Sequence, residues 1–532
     1  MITRRFFLKS IGIAVSSISL ASKNNVFASS KNSRPNVIFI ITDDQRRSDF
    51  SFLEEGKGPD GKPLNLTPNI DRLSSEGVIF ENQHVTSPAC TPSRFSVLTG
   101  TYASRAKNDH FMNYFKRHGV GNVGWNTHIL PTTGNLAKTL KKAGYTTGAV
   151  GKNHVIECKV PKPPKGASYY DPGIKELLKD NQKKLIQAYK DCGFDYASHL
   201  YWGNIDKFSC RELEHHNMDW VVEGAVDFID KSKDKPFFLY MATTLNHGPG
   251  KPGERYKGNR RATPVELLDK PLEILPSTES IEKRLKQANI TFEHAGDNLW
   301  LDDGIGAVVD KLKEHKLLDN TIIFFFNDHG VEAGKASVYH GGTHSVSFVW
   351  GKKIKGGRRV NQLVSNIDFA PTIMEICKAD EPGYEMDGKS LLGLLKGDNA
   401  AIHDALFFEF GATRGVLKDN FKYIAFRLPK HVCQMTTQQR QKLYAKKVND
   451  INAPFTHLPM VPGGYGSEQP AIKNHKKHYF DEDQLYNLSK DPKEQINLAS
   501  DPKYKAKLEV MKKLLRKHLA KMPGNFGEFK NE

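Results

Sequence analysis

The sequence predicts an α/β fold in which helices sandwich a large, mainly parallel sheet, with a smaller C-terminal α+β subdomain that contains an antiparallel sheet. The main observation is a set of largely apolar runs, typical of strands buried on both faces: NVIFIIT (Asn36–Thr42), KPFFLYMATT (Lys235–Thr244) and TIIFFFNDHG (Thr321–Gly330). Segments with helical periodicity lie between these runs, and this alternation indicates parallel strands joined by helices. The pattern then changes, because ALFFEF and FKYIAFR, near the C-terminus, indicate antiparallel strands.

Three segments carry predicted helices that join the strands. Thr67 and Pro68 open TPNIDRLSSEGVIF with a helix cap and with proline at the first helical position. GNLAKTLKKAGYTTGAVGK indicates a helix, a glycine stop and a short strand, and the segment from Ala288 to Asn320 indicates one long amphipathic helix. We expect a large domain over residues 29–400 and the smaller subdomain over residues 401–532.

The composition indicates a folded, strongly basic protein. Hydrophobic residues make up 38% of the 532 residues, which is enough for a sizeable core, and lysine and arginine outnumber aspartate and glutamate by 77 to 60. The net charge of +17 favours a polyanionic partner, such as nucleic acid, an anionic membrane, or a sulfated or phosphorylated polymer. A solvated basic surface would carry the same charge, so charge alone does not choose among these partners.

The N-terminus has the features of an export signal. TRRFFLK (Thr3–Lys9) is a twin-arginine pattern, the apolar run IGIAVSSISL (Ile11–Leu20) follows it, and Val26 and Ala28 are placed like a signal-peptidase site. The apolar run is too short to span a bilayer, which takes about 20 residues. We therefore predict a twin-arginine signal over residues 1–28, with the twin-arginine export machinery as a partner, no stable membrane span and a periplasmic or secreted location. An ordinary secretory signal and an uncleaved anchor are the alternatives, and export argues against nucleic acid as the partner.

Cys90 lies in SPACTPSRFSVLTG (Ser87–Gly100), just before a stretch that indicates a helix starting at Pro92. A helix N-terminus stabilises anions and lowers the pKa of a thiol, so Cys90 is a candidate reactive residue. A small buried cysteine and half of a disulfide are the alternatives. No CxxC pair and no zinc-ribbon spacing occurs among the six cysteines, and with Cys90 set aside at most two disulfides can form. The other five are Cys158, Cys192, Cys210, Cys377 and Cys433.

Acidic residues follow two of the predicted strands. Asp43 and Asp44 come directly after the first strand, and Asp328 and His329 end the third apolar run. The carboxyl ends of parallel strands meet at one edge of a sheet, where α/β proteins bind their ligands. Hard divalent cations such as Ca²⁺ prefer several carboxylate oxygens. Each pair alone is more often a turn or a helix cap, but the two pairs together predict a metal site.

Cys-x-Pro-Ser-Arg, followed by three residues and Leu-Thr-Gly, resembles the signature of the type I sulfatases of the alkaline phosphatase superfamily. The matching positions are Cys90, Pro92, Ser93, Arg94, Leu98, Thr99 and Gly100. Other blocks resemble family segments in the same order and cover nearly all of the mature chain: VIFIITDD, GKNH, PFFLYMATTLNHGP, IIFFFNDHG, GKASVYHGG and QLYNLSKDPKEQINLA. The resemblance implies an alkaline-phosphatase-like fold and hydrolysis of sulfate esters.

The resemblance also implies a modified residue and a metal. A maturation enzyme would oxidise Cys90 to formylglycine, an aldehyde that is hydrated in the resting enzyme. One Ca²⁺ ion would be held by that residue together with Asp43, Asp44, Asp328 and His329, the last at a position where relatives carry Asn or His.

The family's reaction assigns roles to five further residues. One hydrate oxygen attacks sulfur to give a covalent sulfo-enzyme intermediate, and His247, assisted by Lys335, would protonate the leaving alcohol. His154 would then take a proton from the second hydroxyl, so that elimination expels sulfate. Arg94 and Lys152 would orient the hydrate and balance the charge of the carboxylates.

Two positions depart from the family pattern. The block with the second lysine usually continues Glu-Gly-Gly-x-Arg, and this chain has His340 at the Glu position and His344 at the Arg position. The difference affects the local salt-bridge network and leaves the core chemistry in place.

The basic charge, the export signal and three extra segments predict a sulfated polysaccharide or its oligosaccharides as the substrate, of the algal galactan or glycosaminoglycan type. The segments, which either wall a groove for the glycan or lie remote from the site, are Lys107–His128, Glu157–Leu213 and Leu428–His478. Two alternatives are a phosphonate monoester or phosphodiester hydrolase of the same superfamily and a catalytically inactive protein that binds sulfated glycans.

Overall fold

The computed structural model describes residues 34–427 and 481–529, apart from positions 120, 208, 209, 333 and 412, together with the isolated positions 436, 439 and 478. The predicted export signal, Cys433 and nearly all of the segment Leu428–His478 lie outside the described residues.

Strands form two main groups in the described residues. They are β1 (Asn36–Thr42), β2 (Val78–Phe80), β3 (Gln83–His84), β4 (Thr146–Lys152), β5 (Tyr196–Tyr201), β6 (Phe237–Ala242), β7 (Thr321–Asn327), β8 (Ser347–Trp350), β9 (Arg358–Val360), β10 (Val364–Ser365), β11 (Leu406–Phe410), β12 (Thr413–Lys418), β13 (Phe421–Phe426) and β14 (Asp483–Asn487). The α-helices are α1 (Pro68–Glu76), α2 (Cys90–Thr99), α3 (Asp109–His118), α4 (Leu136–Lys142), α5 (Ile174–Asp191), α6 (Met218–Ser232), α7 (Thr278–Gln287), α8 (Ala295–Glu314), α9 (His340–Thr343), α10 (Phe369–Cys377), α11 (Leu392–Lys396) and α12 (Lys505–Leu519).

The larger sheet has eight strands in the order β5-β4-β6-β1-β7-β8-β2-β9. The five strands from β5 to β7 are parallel, whereas β8 runs antiparallel to both β7 and β2. Successive side chains of a strand point to opposite faces, so Val37, Phe39 and Ile41 of β1 enter one core while Ile38 and Ile40 enter the other. One core packs under α2, α4 and α10 and the other under α1, α6 and α8, which explains why the strand is apolar throughout.

The parallel register brings the ends of four neighbouring strands to one edge. Thr42, the last residue of β1, pairs with Asn327, the last residue of β7, so Asp43 and Asp328 leave the sheet side by side. On the other side of β1, β6 ends at Ala242 and β4 ends at Lys152. The predicted fold and the predicted meeting of the acidic pairs are confirmed.

The smaller sheet has the antiparallel order β11-β12-β13-β14, and α12 packs on it. ALFFEF and FKYIAFR are strands, as predicted, but β12 (Thr413–Lys418) lies between them; its TRGVLK sequence has a central glycine and no strong apolar pattern. The domain boundary at residue 400 stays a prediction.

The long helix predicted from Ala288 is shorter than expected and begins at Ala295. A separate helix, α7, ends at Gln287, and Asn289 then adopts a left-handed backbone with φ of 54°, which stops the helical path before α8 begins. None of the helices in the described ranges combines the length and apolar character required to cross a bilayer.

Candidate functional site

The helix α2 places Cys90 at the sheet edge. It begins at Cys90 rather than at the predicted Pro92, because Ala89 is extended and Ser93 N–H already donates to its carbonyl oxygen (3.0 Å). Pro92 therefore lies within the first turn, where a missing N–H is tolerated. The helix ends at Gly100, whose φ of 68° is the left-handed conformation that glycine adopts readily.

Asp43 and Asp328 are fully buried, and both carboxylates accept hydrogen bonds from the guanidinium of Arg94. Arg94 Nη2 donates to Asp43 Oδ2 (3.1 Å) and to Asp328 Oδ2 (3.2 Å), and Lys152 Nζ also contacts Asp43 Oδ2. Burial alone would raise the pKa of Asp43, but the charges of Lys152 and Arg94 hold it well below its usual range. Arg94, which the sequence alone left as a possible surface charge, is completely buried.

Asp44 is the outer carboxylate, and its backbone adopts a left-handed conformation with φ of 54°. Lys335 Nζ donates to Asp44 Oδ1 (2.6 Å), and His247 Nε2 lies 3.6 Å from Asp44 Oδ2. Burial works against ionisation, yet the nearby charges of Lys335, His247 and His329 lower the pKa of Asp44 to about 2. We call Asp43, Asp44 and Asp328 the carboxylate edge.

The Cys90 thiol faces this edge. Its Sγ lies 3.6 Å from Asp43 Oδ1 and 3.5 Å from His329 Nε2. Burial, together with the Asp43 charge, raises the pKa of the thiol well above its usual range. The expectation of a lowered pKa at the helix N-terminus is therefore wrong for the unmodified cysteine, because loss of water outweighs the helix dipole. A neutral thiol is a poor nucleophile.

The carboxylate edge fits a hard divalent cation. One oxygen from each of Asp43, Asp44 and Asp328 lies within 4.8 Å of the others, and Asp44, Cys90 and His329 form an overlapping group. His329 Nδ1 donates to the Gly330 carbonyl oxygen (3.0 Å), so its Nε2 is left as a lone-pair ligand, 3.4 Å from Asp44 Oδ1. Asp43 and Asp44, whose pKa values are lowered, supply negative charge that such an ion needs.

Two further histidines border the carboxylate edge. His247 Nδ1 donates to the Gly248 carbonyl oxygen (2.9 Å), which leaves Nε2 within 4.8 Å of ligand atoms of Asp43 and Cys90. His154 has a left-handed backbone with φ of 54°, and its Nδ1 is buried without a hydrogen-bond partner. Burial, reinforced by the Lys152 charge, lowers the pKa of both imidazoles.

Gly151 fixes the path of the chain before Lys152. Its φ is 87°, and a side chain there would place Cβ 1.8 Å from the Ala242 carbonyl oxygen. Only glycine permits this close approach of β4 to the end of β6, from which Lys152 reaches Asp43.

The two residues that depart from the family pattern, His340 and His344, lie beside the carboxylate edge. Together with His84 they form a cluster that we call the histidine stack. Ring centroids of His340 and His344 are 4.6 Å apart, and those of His84 and His344 are 5.1 Å apart. His344 Nε2 donates to the Glu81 carbonyl oxygen (2.8 Å). Sequence reasoning missed His84, which lies on β3, more than 250 positions before its partners.

Sequence reasoning also missed residues that hold the edge in place. Asn366 Nδ2 donates to Ser93 Oγ (3.0 Å), and Ser93 Oγ contacts the Asp328 carbonyl oxygen. Asn327 Nδ2 donates to the carbonyl oxygens of Gln45 (2.8 Å) and His329 (2.6 Å), which ties the ends of β1 and β7 together. Ser93 is a signature position, but no local signal marks Asn366.

Comparison with known proteins identifies the family of the chain. Residues 35–379 match the family model described as sulfatase, and residues 339–450 match the one described as N-sulphoglucosamine sulphohydrolase, C-terminal. An ulvan-active sulfatase of Formosa agariphila is 28% identical over 92% of this chain and 80% of its own length. An arylsulfatase of Clostridium perfringens is 26% identical over 91% of this chain and 94% of its own length.

Solved structures share the architecture. A structure from work on the metabolism of multiple glycosaminoglycans by Bacteroides thetaiotaomicron matches with a TM-score of 0.60 and 21% identity, over 92% of this chain and 99% of that one. At this identity the likeness is one of fold. The match of residues 35–379 covers the carboxylate edge, the Cys90 signature and both flanking histidines. The chain therefore belongs to the sulfatase family and is a sulfuric ester hydrolase.

Proposed function

We propose that this sulfatase removes sulfate esters from a sulfated polysaccharide or its oligosaccharides, after Cys90 has been oxidised to formylglycine and one Ca²⁺ ion has bound. The observation that carries the proposal is that Cys90 and the carboxylates of Asp43, Asp44 and Asp328 meet at one end of the sheet, with cationic side chains around them. A small dianionic ester group needs such a concentration of positive charge once the carboxylates hold a metal.

Asp43, Asp44, Asp328 and His329 are the residues that would hold the cation. The metal supplies Lewis-acid activation, and the hydrated aldehyde at position 90 supplies the oxygen nucleophile and a route for sulfate release. Arg94 donates hydrogen bonds to both Asp43 and Asp328, which orients the two carboxylates toward position 90.

His247 and Lys335 are positioned to act on the leaving alcohol. The Nδ1 of His247 is occupied by the Gly248 carbonyl oxygen, so a proton for transfer is carried at Nε2. Asp44, 3.6 Å away, stabilises the protonated imidazole, and Lys335 shares the same carboxylate. The unpartnered Nδ1 of His154 is available to accept a proton from the residue at position 90.

The glycan substrate is supported by the strongly basic charge and by the relatives. The Formosa protein is named for activity on ulvan, and it matches over most of both chains. Twin-arginine export moves folded proteins, so we place oxidation of Cys90 by the maturation enzyme in the cytoplasm, before delivery to the periplasm or the medium. Nucleic acid is not a partner in this scheme.

The proposal is tested with enzyme co-produced with a formylglycine-generating enzyme. Intact mass should be about 18 Da below that of the thiol form, because the thiol is replaced by an aldehyde outside the usual thiol oxidation ladder. We expect sulfate release from at least one defined set of sulfated oligosaccharides, such as those of ulvan or chondroitin sulfate. The Cys90→Ala variant is the matched control and should release none.

Four results would overturn parts of the proposal. Full activity of Cys90→Ala would exclude the role of position 90. Turnover restricted to aryl sulfates would exclude the glycan substrate. Faster hydrolysis of phosphonate monoesters than of any sulfate ester would favour the phosphonate hydrolase alternative, and glycan binding without sulfate release by the fully oxidised protein would favour the inactive binding protein.

A further inference from the structure

A cavity of about 490 Å³ lies beside the carboxylate edge, and two of the extra segments form its walls. We call it the insert cavity. Residues from Lys107–His128 and Glu157–Leu213 make up most of its lining, and they include His110, His128, Cys158, Trp202 and Asn204. Its size lies within the range of about 300–1,000 Å³ that is typical of small-molecule sites.

His154 both lines the insert cavity and lies near the residues that we propose to react. It follows Lys152, which contacts Asp43, by two residues. Gly203 is another lining residue and lies next to His154, because a Cβ atom at Gly203 would lie 3.7 Å from the His154 ring. A molecule in the insert cavity therefore contacts the same imidazole that borders the carboxylate edge.

Three buried polar atoms of the lining have no hydrogen-bond partner within the protein. They are Nδ1 of His128, Nδ1 of His154 and Oδ1 of Asn204. An unsatisfied buried polar atom costs about 1–3 kcal/mol. Because the proposed reaction already uses Nδ1 of His154, the atoms of His128 and Asn204 are the two that indicate a ligand or water in the cavity. The half-buried indole of Trp202 adds a flat apolar surface in the same lining.

Three residues with charged side chains line the cavity; two of them are strongly exposed, and the third, Glu157, is half-buried. Asp109 and Lys159 are strongly exposed, 81% and 78%, and lie 3.9 Å apart, so they partly neutralise each other at the mouth. Burial, and the proximity of His110, lower the pKa of His128 to about 4, so its imidazole is neutral at pH 7. The interior thus offers hydrogen bonds and an aromatic face, and it lacks the concentrated positive charge that a second sulfate would need.

We propose that the insert cavity binds one unsulfated sugar ring of the glycan, next to the ring whose sulfate is removed. The ring stacks on Trp202, and its hydroxyl groups hydrogen-bond to His128 and Asn204. This inference rests on the proposed glycan substrate, and it assigns Trp202 and Asn204 as specificity residues that no sequence motif marks.

The first test compares two substrates. Sulfate release is measured from ulvan oligosaccharides, or from chondroitin sulfate oligosaccharides if only these are turned over, and from 4-nitrophenyl sulfate, which has no sugar ring. For Trp202→Ala we expect the ratio of kcat/KM for the oligosaccharide to kcat/KM for the aryl sulfate to fall at least about tenfold, mainly through KM, with partial rescue in Trp202→Phe. Asn204→Ala should lower the same ratio by a smaller factor.

The matched control removes an aromatic ring elsewhere. Tyr170 is 64% exposed and does not line the cavity, so Tyr170→Ala should leave the ratio unchanged. Thermal unfolding of each variant identifies any loss that comes from misfolding. An unchanged ratio in a folded Trp202→Ala protein would overturn the inference while leaving the proposed function intact.

The second test needs no catalysis. Binding of chemically desulfated ulvan and chondroitin oligosaccharides to Cys90→Ala is followed by ligand-observed NMR, with and without Trp202→Ala. We expect binding that the second substitution weakens at least about tenfold. Such binding without turnover of any sulfated glycan would support the cavity and contradict the proposed activity, and absence of binding to both oligosaccharides would overturn the cavity assignment.

Discussion

The carboxylate edge and the histidine stack lie close together, yet the pKa shifts leave Asp43 and Asp44 charged and the three histidines of the stack neutral. At the edge each carboxylate faces a cation, and Asp43 and Asp44 keep depressed pKa values despite the loss of water. In the stack the rings face one another and Lys422, so burial and neighbouring positive charge drive the pKa of each imidazole down.

The difference teaches how this molecule buries polar groups. At the carboxylate edge, charge is retained because a partner of opposite sign is fixed in place, as Arg94 is between Asp43 and Asp328. In the histidine stack each imidazole stays neutral, because a buried, unpaired charge costs more free energy than giving up a proton. The edge is thereby ready for a metal, whereas the stack acts as uncharged packing that replaces an expected Glu and Arg.

The largest expected effect comes from removing the metal that we propose the edge holds. Exhaustive chelation should lower the rate of sulfate release at least about a hundredfold, because a Lewis acid contributes several kcal/mol to the reaction, and Ca²⁺ should restore it. Sulfate release is measured by ion chromatography. Asp328→Asn is the comparison variant and should need more Ca²⁺ for recovery. Full activity after chelation would contradict the metal site.

Arg94→Met breaks the charge pairing directly. Leaving Asp43 and Asp328 buried without their shared guanidinium should lower the free energy of unfolding by about 3–5 kcal/mol. Urea denaturation in EDTA measures this loss without compensation from a bound cation. Arg94→Lys keeps the charge and should lose less. A loss below about 1 kcal/mol would show that pairing does not hold the edge.

His344→Gln tests the neutral cluster through its pH dependence. Burial and the Arg47 charge lower the pKa of His344 to about 3, against about 6.5 in an unfolded chain. Below pH 6.5 the unfolded chain therefore binds a proton that the folded protein refuses, so stability falls as pH decreases from 6.5 toward 3. At pH 5 this one site should account for about 2 kcal/mol.

The measurement compares urea denaturation of wild type and His344→Gln from pH 8 to pH 5. Glutamine can still donate to the Glu81 carbonyl oxygen, so the variant should lose little at pH 8 and should decline less steeply below pH 6.5. Parallel stability curves for the two proteins would mean that His344 takes up its proton in the folded state.

The smallest effect is expected at an ion pair on the surface. Asp180 and Lys183 lie 3.0 Å apart on α5, with 61% and 77% of their side chains exposed. Asp180→Asn should change the free energy of unfolding by no more than about 0.5 kcal/mol, because water screens the pair. Denaturation under the conditions used for Arg94→Met checks whether burial, rather than pairing alone, gives the edge its sensitivity.

The sequence was sufficient to predict the sheet and the meeting of its acidic ends, because buried parallel strands are continuous apolar runs and their register fixes which ends are neighbours. The family resemblance likewise predicted Arg94, from the Cys90 signature, and Lys152 and Lys335, from two other segments, and all three contact the carboxylate edge. The pKa of the Cys90 thiol was predicted to be lowered but is raised, because the burial that raises it depends on elements far away in the chain. His84, Asn366 and Trp202 were missed for the same reason, because each acquires its partners only in the folded molecule.

The walls of the insert cavity and the carboxylate edge come from different stretches of chain. Strand ends and the start of α2 carry the residues that we propose to react, while Lys107–His128 and Glu157–Leu213 carry most of the lining in which we place the neighbouring sugar. Loop exchange between sulfatases is therefore a practical engineering route here: grafting these two segments from another member should transfer a preference for its glycan, with the reaction centre left as it is.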